Sequence, residues 1–292
     1  MSRLYLSFLF LLFFRLTIAQ PFTIDTSCQI ISSPGDDLFP KWSEDGKQLL
    51  FQSNRDGNWD IFLFDFEKDS TIQLTNEPAN EQHPEWLPME NQFVFNSDRG
   101  GMYFLYKMDL ATGLTNFLFK RNVECRQASF PPTKRLVYFS GFNRKSEEWD
   151  IYSYDFVSDN LNHLTNLKGN CSVPVVSPNG KQILFQRTIH TYPYGKLAIL
   201  NWYGKLEIEL DSLWATDPSW SPNGLKIFFI SGTDELQGEV YSIWKNGTHL
   251  ERLTDDKLKV RTPAISPDGS KMALSVLNEN EFDIFIISLD DY

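Results

Sequence analysis

Seven side chains that could bind a ligand or hold a proton fall into one register in this chain. Asp37, Glu81, His83, Arg126, Gln127, Asp217 and Arg261 each lie three to five residues before one of six recurring anchors: Trp42, Trp86, Phe130, Val176, Trp220 and Ile265. Carboxylates accept hydrogen bonds, guanidinium groups donate in a planar fork, and an amide does both. Such a set is suited to recognising a polar ligand or a partner's polypeptide. Bond-breaking chemistry needs more, namely a nucleophile beside a base or a compact set of metal ligands. The chain has no Gly-x-Ser-x-Gly elbow, no His-Glu-x-x-His and no Cys-x-x-Cys. Of its four histidines, His83, His163, His190 and His249, only His83 falls in this register. Asp37, Glu81, His83 and Asp217 could in principle hold a divalent cation, but they are spread over three repeats, which is poor spacing for one ion. The expectation is a binding site on these seven residues, with no catalytic residue, no metal and no cofactor.

The elements that must position these residues are strands. The anchors are spaced by 44, 44, 46, 44 and 45 residues. After an anchor comes a turn, best preserved as Ser43-Glu44-Asp45-Gly46, Ser177-Pro178-Asn179-Gly180, Ser221-Pro222-Asn223-Gly224 and Ser266-Pro267-Asp268-Gly269. Proline presets the second turn position, and glycine supplies the positive φ that returns the chain as a hairpin. Blades two and three replace this turn with Leu87-Pro88-Met89-Glu90-Asn91 and Pro131-Pro132-Thr133-Lys134. A second strand follows (Leu49-Leu50-Phe51, Ile183-Leu184-Phe185), then a polar turn, then a third strand (Trp59-Asp60-Ile61-Phe62, Trp149-Asp150-Ile151-Tyr152). The unit closes on Gln73-Leu74-Thr75, His163-Leu164-Thr165 or Arg252-Leu253-Thr254. No stretch has a helical period. Four short strands repeated six times predict an all-β, six-bladed β-propeller.

The sixth unit lacks its fourth strand. Gln29-Ile30-Ile31 precedes Trp42 by the interval at which Gln73-Leu74-Thr75 precedes Trp86. The N-terminal strand should therefore complete the last blade and close the ring, leaving no bare edge. Before it, an apolar run from Leu4 to Phe14 behind Arg3, ending in Thr17-Ile18-Ala19, reads as a signal peptide over residues 1–19. The run is too short to span a membrane. Residues 20–292 form the expected propeller, with no transmembrane segment, periplasmic or secreted, and monomeric.

The full chain carries 27 Lys and Arg against 38 Asp and Glu, a net charge of -11. That balance argues against nucleic acid as a partner. Of the three cysteines, Cys125 and Cys171 occupy the same position in neighbouring repeats. A bridge between them and burial as separate thiols are both open from sequence.

The Pro-x-Trp-Ser-Pro-Asp-Gly-Lys-like units, with Ser-x-Arg-x-Gly, Asp-Ile-Tyr and Leu-Thr elements over about residues 28–292, resemble the TolB-like β-propeller repeat. They are distinct from the WD repeat, whose motifs are absent in register. The resemblance implies a stand-alone propeller without the α/β domain that precedes the propeller in TolB itself. It also implies a non-catalytic, exported binding or scaffold protein that contacts a protein partner, such as an envelope lipoprotein. The alternative it implies is a metal-assisted enzyme of the propeller lyase type acting on a polysaccharide.

Overall fold

The computed structural model describes residues 29–121, 123–133, 135–189, 195–210, 214–234, 237–254 and 258–289. The expected signal peptide, Cys28 and His190 lie outside the described residues. Within them the chain forms six four-stranded antiparallel sheets, each built from strands consecutive in sequence except the last. The inner strands are Asp37–Trp42, Glu81–Trp86, Cys125–Ser129, Asn170–Val176, Thr216–Trp220 and Val260–Ile265. The outer strand of blade six is Gln29–Ile31, paired with Glu281–Ser288 in the register Gln29 to Ile286 and Ile31 to Ile284. The propeller and its closure are thus as the repeat spacing predicts.

The apolar runs of the second strands follow from the packing. Each of six core clusters fills the cleft between two neighbouring blades. Leu49 and Phe51 face blade six, while Leu50 faces blade two, and all three are fully buried. A sheet covered on both faces has no polar side, so its strand reads as continuous apolar residues.

The anchor tryptophans act between blades. The indole N–H of Trp42 donates to the Ala264 carbonyl (3.0 Å), that of Trp86 to Lys41 (2.9 Å) and that of Trp220 to Val175 (3.0 Å). Each acceptor lies on the inner strand of the preceding blade. The Asp-Ile and Leu-Thr elements act within a blade. Thr75 donates to Asp60 (2.8 Å) and accepts from the Ile61 N–H (2.8 Å), and Thr165, Asp150 and Ile151 repeat the arrangement. These repeated polar residues satisfy buried backbone groups.

Candidate binding site at the mouth of the channel

The inner strands carry a bulge at one place. In every blade the ladder to the second strand shifts register around the residue three before the anchor. That residue is left-handed in all six: Phe39 (φ 56°), His83 (52°), Gln127 (56°), Val173 (53°), Asp217 (49°) and Thr262 (49°). In five of the six blades a proline follows, and Val173 and Thr262 are β-branched. Such conformations cost on the order of 1–3 kcal/mol each and persist only when neighbours hold them.

Neighbours do hold them. The backbone N–H of His83 donates to Gln52 Oε1 of the preceding blade (2.8 Å), and that of Gln127 to Asn96 Oδ1 (3.0 Å). The Val173 N–H reaches Gln127 Oε1 (3.1 Å) and Ser140 (3.2 Å), and the Phe39 N–H reaches Thr262 (3.3 Å). The Thr262 N–H donates to the Asp217 carboxylate. Between blades four and five the equivalent residue, Gln186, turns its amide to Thr188 instead (3.5 Å).

This ring forms the waist of the channel. Phe39, Gln127, Val173, Asp217 and Thr262 line both a funnel of about 480 Å3 above and a narrow passage of about 60 Å3 below. The funnel is the roomier of the two. The funnel lies off-centre, over blades four to six, where Ser172, Gln186, Gly195, Trp214, Thr216, Gly232, Gly238 and Arg261 form its wall. An added Cβ on Gly238 would lie 2.1 Å from Ile230 Cγ2. At Gly195 it would lie 2.6 Å from Gln186, so both glycines are set by close packing of the wall.

The seven expected residues separate into three groups. Gln127, Asp217 and Arg261 come together on the funnel. Burial pushes the Asp217 carboxyl upward, against the pull of Arg261, the Thr262 N–H and Lys41. His83 lies just below, lining the narrow passage, with its ring 4.4 Å from that of Phe39. Burial, with the positive charges of Arg126 and Lys41, pulls its pKa down to about 3. Its Nδ1 lies 3.0 Å from the Asn96 amide nitrogen and so accepts, which places the ring proton on Nε2.

Asp37 and Glu81 are withdrawn from the mouth. Both are fully buried between blades. Arg55 reaches Asp37 (3.0 Å) and Ser53 (2.9 Å), while Arg99 reaches Glu81 (3.1 Å) and Ser97 (2.9 Å). Each arginine also lies over an aromatic ring, Phe62 at 4.2 Å and Tyr106 at 4.8 Å. Burial raises the Asp37 carboxyl to about 6, with Ser53 and Arg55 opposing, and raises that of Glu81 as well. Arg126 is held on the outer lip between Tyr103 (4.3 Å) and Trp149 (4.7 Å), paired with Glu124 (3.3 Å).

Cys125 and Cys171 share the buried position of Asp37 and Glu81. Both are free thiols, and burial pushes each up to about 12. One packs between blades two and three and the other between three and four, so blade three separates them. Among the described residues no three His, Cys, Asp or Glu side chains gather where they could share a metal ion.

Arg55 and Arg99 were missed as partners, and so were the clasp residues Gln52 and Asn96. A signal for the clasps exists: Leu-Leu-Phe-Gln, Phe-Val-Phe-Asn, Val-Tyr-Phe-Ser and Ile-Leu-Phe-Gln each end an apolar strand on a polar residue at one register. Trp214 and the wall glycines carry no such signal.

A family model described as the TolB beta propeller domain matches residues 20–213. A TolB homolog of Chlorobium luteolum is 28% identical over 143 residues, covering 48% of this chain and 31% of that protein. Among solved structures, TolB from Acinetobacter baumannii superposes with a TM-score of 0.69 at 24% identity, over 80% of this chain and 58% of that one. An oligogalacturonate lyase from Vibrio parahaemolyticus superposes with a TM-score of 0.61 at 13% identity, over 89% and 91%. The match thus spans about a third of the length of the curated relative, and the structural likenesses are likenesses of fold.

Proposed function

Because the chain belongs to the TolB β-propeller family, we propose that it is an exported, non-catalytic binding protein that takes a segment of a protein partner into the funnel. The observation that carries this reading is the funnel itself, about 480 Å3, narrowing below at the waist. Its wall mixes apolar surface with the Arg261 guanidinium, the Asp217 carboxylate and the Gln127 and Gln186 amides, and such a wall can orient a polypeptide backbone. The TolB homologs support a protein partner, an envelope lipoprotein among the candidates, and a periplasmic setting. The alternative, a metal-assisted lyase acting on a polysaccharide, has the fold likeness to the lyase as its support.

Affinity capture from the native envelope fraction tests the proposal. Ser172→Arg, which fills the funnel, and Arg261→Glu should each lose a partner that the wild-type chain retains. Glu67→Gln, on an exposed turn of the opposite face, should keep it. Retention of every partner by both funnel variants would overturn the reading.

A further inference from the structure

The face opposite the mouth carries the turns after the inner strands and those between the third and fourth strands. In most blades these turns are acidic. The carboxylates of Asp65, Asp109 and Asp155 cap the third-to-fourth turns of blades one to three by accepting from the backbone N–H two residues on, those of Glu67, Ala111 and Val157. Asp45 and Asp268 sit in the inner turns of blades one and six. Two cations there pair with these acids, Lys68 with Asp65 (2.7 Å) and Arg135 with Asp155 (2.7 Å).

Blades four and five break the pattern at every one of these places. Asn179 and Asn223 replace the inner-turn aspartates, and Asn201 and Trp244 replace the outer ones. Asn201 keeps the capping role, accepting from the Lys205 N–H (2.9 Å), without the charge. On the same turns Trp202 is 53% exposed, Tyr203 61% and Trp244 39%. Lys181, Lys205 and Lys245 stand among them, and none is paired with an acid among the described residues. The acids close by are engaged elsewhere, Glu207 with Gln182 (2.7 Å) and Glu251 with Lys226 (3.7 Å). Within blade four the Trp202 N–H donates to the Lys181 carbonyl (3.0 Å), and across to blade five Lys245 Nζ reaches Gln182 (3.5 Å), so the patch spans both blades.

We propose that this corner of the propeller docks on an anionic membrane surface, with Trp202, Tyr203 and Trp244 at headgroup depth and Lys181, Lys205 and Lys245 on the lipid phosphates. Aromatic rings with a polar edge partition to the membrane interface. Each lysine near an anionic surface adds attraction that falls off within a Debye length. The six residues gather on three neighbouring turns of blades four and five. In a chain of net charge -11, a local excess of unpaired cations also fixes which corner faces the lipid. The inference is independent of what the funnel binds.

The test is sedimentation of the full chain with vesicles of phosphatidylcholine alone and with about one quarter phosphatidylglycerol. Any leader present is common to all variants, so differences between them read the patch. Binding should be at least about tenfold stronger to the anionic vesicles and should weaken steeply with salt. Trp202→Ser with Trp244→Ser, and separately Lys181→Glu with Lys205→Glu, should each reduce it by about tenfold or more. Tryptophan quenching by acyl-brominated lipid reports insertion in the wild-type chain without mutation. Equal binding by wild type and both variants, or no quenching, overturns the proposal. So does binding to a soluble anionic polysaccharide that matches the vesicles, because that would make the corner a polyanion site.

Discussion

The mouth of the propeller is built in two ways. Over blades one and two the residue five before the anchor is an acid, Asp37 or Glu81, buried and locked to an arginine from the next turn. Over blades five and six the same position is Ala215 or Val260, and the mouth opens into the funnel. The comparison teaches that equal register does not mean equal exposure. A buried acid at this register ties the inner strand to the next turn of its own blade, and the positions that face the channel lie one or two residues further along, where the bulge turns the chain.

The largest expected difference between the halves is in stability. Arg99→Ala strands the buried Glu81 carboxylate and should cost about 3 kcal/mol in urea denaturation. Arg261→Ala, at the funnel, should cost within about 1 kcal/mol. Equal losses would erase the distinction.

A second contrast is in pH dependence. Asp37 titrates near 6 in the fold, above its ordinary 3.8, so the native state holds the extra proton. Its contribution is full below about pH 4 and is lost as pH rises through about 6. His83, pulled to about 3, runs the other way: its contribution is full above its ordinary value of about 6.5 and is lost as pH falls. As pH is raised from about 4 to 6.5, the change in unfolding free energy from urea denaturation should therefore be more positive than in wild type for Asp37→Asn and more negative for His83→Gln. Each difference should be about 2 kcal/mol. Shifts of the same sign would refute this account of the two groups.

The smallest effect separates two joints. Trp220 bolts blade five to blade four, where Gln186 turns away from the clasp, whereas Trp42 bolts a joint that also has the Phe39–Thr262 clasp. Trp220→Phe should lower stability by about 1–2 kcal/mol, and more than Trp42→Phe does. Melting temperatures of the two variants would rank them.

Much of this was legible before any coordinates. Anchor spacing gave six blades, and the displaced Gln29-Ile30-Ile31 gave the closure, because a blade without its fourth strand leaves an edge that must be covered. The site was half legible. Gln127, Asp217 and Arg261 meet at the funnel as their register implies. Asp37, Glu81 and Arg126 share that register and are drawn off by Arg55, Arg99 and the Tyr103–Trp149 pair, partners that lie on other strands.

Periodicity is enough to set the ring, since it is a local property that each repeat states again. Which polar residues the ring consumes, and which it leaves open, depends on packing between blades. Five of the six bulged inner strands offer a donor to the preceding blade, so the fate of a mouth residue depends on a neighbour 31 or more residues away. The off-centre funnel and the basic aromatic corner on the opposite face are properties of blades side by side, and no single repeat contains them.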